Sequence, residues 1–188
     1  MNLLAISGSL REQSTNNAVI HTASDLAKAE GWTATRLAGI GELPHFNQDL
    51  DVEGAQPIAP VEALREAVRE ADALLFVSPE YAHGVPGVLR NAIEWLVSSG
   101  ALGDKPTAVV TASPHPGGGS YAQAQLRETL SMLTGALVED ACLELDAMGP
   151  KTDREANRIK DEPTLSRLSR SLRTLRTAAA AGAGPLAE

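Results

Sequence analysis

Between positions 9 and 16, Ser9, Arg11, Ser14, Thr15 and Asn16 gather hydroxyl, amide and guanidinium donors. They follow directly on a short apolar run, residues 3–6. Such a donor set suits an anion, above all a phosphate. Hydroxyls and amides donate hydrogen bonds, and the one arginine adds a full charge. A helix starting near Asn16 would add unpaired N–H groups and partial positive charge to the same place. The competing reading is a plain strand followed by an N-capped helix, because Ser, Thr and Asn are ordinary cap residues.

Two further loops are dense in chemistry. The first reads Ser78-Pro-Glu-Tyr-Ala-His-Gly-Val-Pro-Gly87. Its prolines and glycines set rigid turns. With Tyr81 and exposed backbone groups, it can form one wall of a slot for a flat ring. Glu80 and His83 suggest acid/base work. Local backbone or subunit contacts for Glu80, and a solvated position for His83, are the preferred readings. The other loop runs from Thr111 through Ser113 to Gly117, Gly118, Gly119 and Ser120. Consecutive glycines let the backbone approach a ligand closely and present bare N–H groups. A flexible surface turn is the alternative, and two prolines just upstream count against it.

The elements that must position these loops alternate along the chain. Strands are expected at 3–6, 33–37, Ala73–Ser78, Thr107–Ala112 and 136–145. Helices are expected near 16–29, 61–71, 86–98, 119–133 and 162–178, with a long loop over 38–60 and a frayed tail over 179–188. Ala73–Ser78 is apolar without alternation, as a strand buried on both faces requires. Strands alternating with helices predict a parallel α/β sheet covered on both sides. Ligands of such sheets bind outside the carboxyl ends of the strands, where the strand order reverses. The three loops therefore belong together.

Composition narrows the function. The chain has 188 residues, about one domain. Aromatic residues make up only 3% of it, so the core must come from Ala, Val, Leu and Ile. Cys142 is the single cysteine, which excludes an internal disulfide and argues against a cysteine-rich metal site; it reads as a core residue. The net charge is −8, and residues 1–150 hold 8 Lys+Arg against 19 Asp+Glu. That argues against a nucleic-acid partner. No apolar stretch is long enough to span a bilayer. Met1-Asn2 leads straight into strand-like residues, and a cytoplasmic location is expected. Arg167, Arg170, Arg173 and Arg176 on the last helix read as a solvated face.

Taken together, the loops resemble the NADPH-dependent FMN reductase family, the flavodoxin-like group that includes bacterial quinone and chromate reductases. The family's first loop reads Gly-Ser-Leu-Arg-x-x-Ser-x-Asn, matched by Gly8, Ser9, Leu10, Arg11, Ser14 and Asn16. Its second reads Pro-Glu-Tyr-Asn-x-x-x-Pro-Gly-x-Leu-Lys-Asn-Ala-Ile-Asp-Trp. Pro79, Glu80, Tyr81, Pro86, Gly87, Leu89, Asn91, Ala92, Ile93 and Trp95 match it. The likeness covers roughly residues 2–178. Ala82 departs from it, standing where the family has Asn.

The resemblance implies a flavodoxin-like three-layer sandwich with a five-stranded parallel sheet in the order 2-1-3-4-5. It implies bound FMN, with NADPH or NADH as co-substrate. The phosphate would be held by Ser9, Arg11, Ser14, Thr15 and Asn16. Pro79, Glu80, Tyr81 and Ala82 would line the ring, and Ser113, Gly117 and Gly118 its pyrimidine end. Hydride would pass from nicotinamide via FMN to a quinone, free flavin or similar acceptor in ping-pong order. No catalytic side chain and no metal is expected. The family suggests a homodimer or homotetramer, with Trp95 at the subunit contact or buried within the monomer. A flavodoxin-like electron carrier and a non-catalytic flavin-binding regulator are the alternatives. A dinucleotide-binding dehydrogenase is disfavoured, because Gly-x-Gly-x-x-Gly is absent after the first strand.

Overall fold

The computed structural model describes residues 1–182. Its first half alternates β1 (Asn2–Ser7), α1 (Thr15–Ala29), β2 (Thr33–Arg36), α2 (Ala59–Glu70), β3 (Ala73–Ser78) and α3 (Gly87–Val97). Then come β4 (Thr107–Ala112), α4 (Ser120–Leu133), β5 (Leu143–Leu145), α5 (Met148–Lys151), β6 (Thr152–Asp153), β7 (Arg158–Ile159) and α6 (Glu162–Gly182). The main sheet is parallel with the order β2-β1-β3-β4-β5, as expected.

Alternate side chains of the central strands feed two cores. Leu3, Ala5, Leu75, Val77, Ala108 and Val110 pack under α1 and α6. Leu4, Ile6, Leu74, Phe76 and Val109 pack under α2, α3 and α4. Both faces of β3 and β4 are therefore dry, and every residue of these two strands is buried. On α6, Leu168, Leu172 and Leu175 face the first core, and Arg167 and Arg173 point outward to the Glu144 carbonyl and to Glu30.

Two expectations are corrected, and one segment without an assignment takes regular structure. The strand expected over 136–145 is only Leu143–Leu145 long. Thr107 pairs with the backbone of Ala136 and Val138, but Glu139–Ala141 then form a 3₁₀ turn. The turn puts the charged Glu139 and Asp140 in solvent and buries Ala141; a continuous edge strand would turn these two charges toward the covered faces of the sheet. The last helix does not end at 178 but continues to Gly182, with Ala179 buried; residues 183–188 of the expected tail lie outside the described residues. Residues 148–159, unassigned from sequence, form α5 and the antiparallel β6–β7 hairpin.

The long loop over 38–60 is tied to α3. Asn91 Nδ2 and Trp95 Nε1 both donate to the Pro44 carbonyl, at 3.0 and 2.8 Å. The Phe46 ring meets Trp95 edge-on, with centroids 5.1 Å apart. Trp95 is 1% exposed, so of its two expected roles the structure shows burial within the chain.

Candidate functional site

Strands β1, β3 and β4 are neighbours and parallel, so the loops that follow them leave the same edge of the sheet. The strand order reverses between β1 and β3, which opens a crevice there. Gly8 lets the first loop pass closely over the second. A Cβ at this position would stand 3.0 Å from Leu89 Cδ2, 3.1 Å from Ser78 Oγ and 3.2 Å from Pro79 Cδ.

The first loop is shaped by Asn17. This side chain is fully buried, and its Nδ2 donates to the carbonyls of Arg11 and Glu12 at 2.7 and 2.9 Å. Its Oδ1 accepts from Ser7 Oγ at 3.0 Å. Sequence reasoning missed Asn17; the only signal was its place beside Asn16 at the helix start. The Arg11 and Glu12 carbonyls are thereby drawn toward the start of α1. Ser14 caps α1 by accepting from the Asn17 N–H at 3.1 Å. Among the described residues, the N–H groups of Thr15 and Asn16 have no protein acceptor. They are the orphan donors of a helix N-terminus, at the positive end of its dipole.

Arg11, Ser14 and Thr15 line a polar cavity of about 280 Å³ at this terminus, together with Pro114, Arg154 and Asn157. Ser9 and Asn16 are buried and are not among the cavity's lining residues. Ser9 Oγ accepts from the Arg11 N–H at 3.4 Å. Asn16 Nδ2 reaches the Ala112 carbonyl at the end of β4, also at 3.4 Å, and its Oδ1 is buried without a partner.

In the second loop, Tyr81 and Gly84 exchange both backbone hydrogen bonds at 3.0 Å. The two residues between them, Ala82 and His83, have φ of +50° and +57°. This is the φ signature of a type I′ turn, which favours Asn and Gly. Neither residue here is suited to it. An Ala82→Asn variant is expected to gain about 0.5–1 kcal/mol in urea unfolding, because Asn tolerates the left-handed region better than Ala. The turn is held by α4. Gln125 accepts from the Val85 N–H and donates to the His83 carbonyl, both at 3.3 Å. His83 stacks on Tyr121, with centroids 4.5 Å apart and planes 9° apart. Glu80 Oε2 accepts from the Ala122 N–H at 3.1 Å. It caps α4 from another loop, since the residue at the cap position is Gly119, which has no side chain. Glu80 therefore makes a backbone contact, but one distant in sequence rather than local. Pro79 is buried beneath this turn, and Tyr81 is half exposed at its tip.

In the third loop, Gly117, Gly118 and Gly119 have φ of +102°, +60° and +85°. A Cβ at Gly118 would also fall 3.0 Å from Glu144 Cβ. No N–H of the three has a protein acceptor among the described residues, although Gly118 and Gly119 are buried. Successive free N–H groups of this kind make an anion-favouring concavity. Beside them Thr111 Oγ1 is buried without a partner. Ser113 is half-buried, its hydroxyl accepting from the His115 N–H at 3.1 Å.

Residues 1–147 match the family described as NADPH-dependent FMN reductase. A quinone reductase of Escherichia coli K12 is 33% identical over 174 residues, covering 92% of each chain. An NAD(P)H-dependent FMN reductase of Pseudomonas aeruginosa is 36% identical over 166 residues, covering 84% of this chain and 88% of that one. Among solved structures, the flavoenzyme NAD(P)H:(acceptor) oxidoreductase FerB of Paracoccus denitrificans superposes with a TM-score of 0.81 at 26% identity, covering 96% of this chain and 97% of that one. The matched segment contains all three loops at the sheet edge, and the chain belongs to the NADPH-dependent FMN reductase family.

Proposed function

We propose that this chain is an NAD(P)H-dependent FMN reductase that delivers electrons to a quinone, a free flavin or a similar small acceptor. The observation that carries this reading is that two sets of unpartnered backbone donors, at the start of α1 beside Arg11 and at Gly117–119, follow β1 and β4 at one edge of the parallel sheet. The residues fit FMN. Buried, unpartnered oxygens at Asn16 and Thr111 are acceptor sites suited to the hydroxyls of a ribityl chain or to ring N–H groups.

Arg11, Ser14, Thr15 and the α1 terminus would hold the phosphate, with Ser9 and Asn16 supporting them from beneath. Pro79, Glu80, Tyr81 and Ala82 would border the ring through backbone groups. Ser113, Gly117 and Gly118 would meet its pyrimidine end. When bound, FMN supplies the redox chemistry, accepting hydride from NAD(P)H and returning electrons to the acceptor. The unpaired glycine N–H groups would stabilise negative charge at that end of the ring, and they would need no reorganisation to do so. The Glu80 cap and the Gln125 clasp keep the second loop in one shape. One open face serving nicotinamide and acceptor in turn would give parallel double-reciprocal plots.

We further infer a homodimer or homotetramer. Val97 and Met132 are 53% and 82% exposed and flank a groove between α3 and α4 that Ile93 and Leu133 also line. Such a face suits a second copy of the chain.

The reading is tested by the visible spectrum of the FMN-loaded protein without oxygen. Addition of NADPH is expected to bleach the flavin bands, and addition of a quinone to restore them. A protein that takes up no FMN, or whose flavin NADPH and NADH leave unreduced, contradicts it.

A further inference from the structure

The β6–β7 hairpin lies beyond the family-matched residues, yet its tip forms a wall of the anion cavity. Arg154 lines the same cavity as Arg11, Ser14 and Thr15. Both guanidiniums are exposed, and neither has a carboxylate partner within ion-pair distance among the described residues. Their neighbours do not share this freedom: Lys151 pairs with Asp146, and Arg158 with Asp25.

The placement of Arg154 is built into the fold. Asn157 Nδ2 donates to the Glu12 carbonyl at 3.1 Å, which ties the hairpin to the first loop. The Ile159 N–H donates to Thr22 Oγ1 at 3.0 Å, and Ile159 is buried against α1. Arg158 Nε reaches Asp25 Oδ2 at 2.7 Å. Asp153, the neighbouring carboxylate, is turned into its own loop. Its Oδ1 accepts from the N–H groups of Ala156 and Glu155, each at 3.0 Å. The Ala156 bond, aided by that of Glu155, holds the Asp153 carboxyl below its ordinary value. Asp153 thus accepts hydrogen bonds within its own loop rather than from Arg154.

We propose that Arg154 and Arg11 together grip one phosphomonoester, the 5′-phosphate of FMN, in the cavity they share at the α1 N-terminus. This rests on the FMN reading above. A phosphate dianion has acceptor oxygens for both guanidiniums and for the helix donors at once. The charge distribution agrees: residues 151–188 hold 8 Lys+Arg against 5 Asp+Glu, in an otherwise acidic chain.

The test titrates apoprotein with FMN and, separately, with riboflavin, which lacks the phosphate. Arg154→Ala is expected to weaken FMN about tenfold, the lower end of the range for an exposed charge-assisted bond, and to leave riboflavin unchanged. Arg154→Glu is expected to weaken FMN further, again without affecting riboflavin. An Arg154→Ala protein that binds FMN as the parent does overturns the proposal. So does one whose only change is a raised KM for NADPH relative to NADH, which would assign Arg154 to the phosphomonoester of the dinucleotide. Equal losses for FMN and riboflavin also overturn it, since they indicate a structural role. Failure of the unaltered apoprotein to bind FMN would instead contradict the functional reading itself.

Discussion

Replacing Arg11 by alanine is expected to weaken FMN binding about 30- to 150-fold and to yield protein purified largely colourless. A charge-assisted hydrogen bond to phosphate contributes roughly 2–3 kcal/mol. The unpaired donors of the α1 terminus contribute only about 0.3–1 kcal/mol through the dipole. Arg11 therefore contributes more than the helix dipole does. Folding is not at issue, because the Arg11 side chain is exposed and makes no hydrogen bond or ion pair among the described residues. Its carbonyl, which Asn17 uses, survives the substitution. Fluorescence titration of apoprotein checks the prediction, and riboflavin affinity should be unaltered. Stoichiometric FMN in the purified variant would show that the phosphate lies elsewhere.

The largest effect on stability is expected away from the site. Arg65 reaches across from α2 to the Trp95 carbonyl at 2.9 Å and to Asp51 Oδ1 at 2.6 Å. Ser98 donates to the other oxygen of Asp51 at 2.5 Å. The Arg65 and Asp51 side chains are only 13% and 9% exposed. Asp51→Ala leaves a nearly buried guanidinium short of its main counter-ion, and breaking such a pair costs about 3–5 kcal/mol. The lower end applies, because Glu62 Oε1 remains 3.1 Å from Arg65 Nη1. A loss of about 3 kcal/mol corresponds to a fall in Tm of roughly 6–12 °C for a domain this size. Burial raises the Asp51 carboxyl, but the hydrogen bonds from Arg65 and Ser98 outweigh it and leave the group below its ordinary 3.8. The folded state then binds fewer protons than the unfolded chain. The contribution is complete above pH 3.8 and is lost as pH falls through the lower folded value. Thermal melts of both proteins should therefore differ by a constant amount near neutrality and converge in strong acid. A neutral-pH difference under about 1 kcal/mol would contradict this account of the network.

Much of the scaffold was legible because its signals are local. The apolar runs of β3 and β4 have no alternation, and their observed bounds coincide with those expected. The convergence of the three loops followed from strand alternation and the rule for parallel sheets, without any contact being visible. What stayed hidden depends on contacts distant in sequence. Each strand of the β6–β7 hairpin is two residues long, too short for periodicity to register. Its attachment to α1 rests on Asn157, Arg158 and Ile159 meeting residues of the first loop and helix. Arg154 was therefore invisible as a neighbour of Arg11. The truncation of β5 turns on where Glu139 and Asp140 can reach water, which the apolar residues around them disguised. Trp95 was ambiguous because a large residue on an amphipathic helix can face a core or a partner. The carbonyl of Pro44, supplied by a loop with no regular pattern, decides it.

The central claim is that the loop between β1 and α1 holds the phosphate of FMN. A crystal structure of the FMN-bound protein tests it most directly. It is expected to show phosphate oxygens within hydrogen-bond distance of the Thr15 and Asn16 N–H groups and of the Arg11 guanidinium, with the ring edge at Gly117–119. Density for the cofactor at any other edge of the sheet, or a phosphate projecting into solvent away from Arg11, would contradict it.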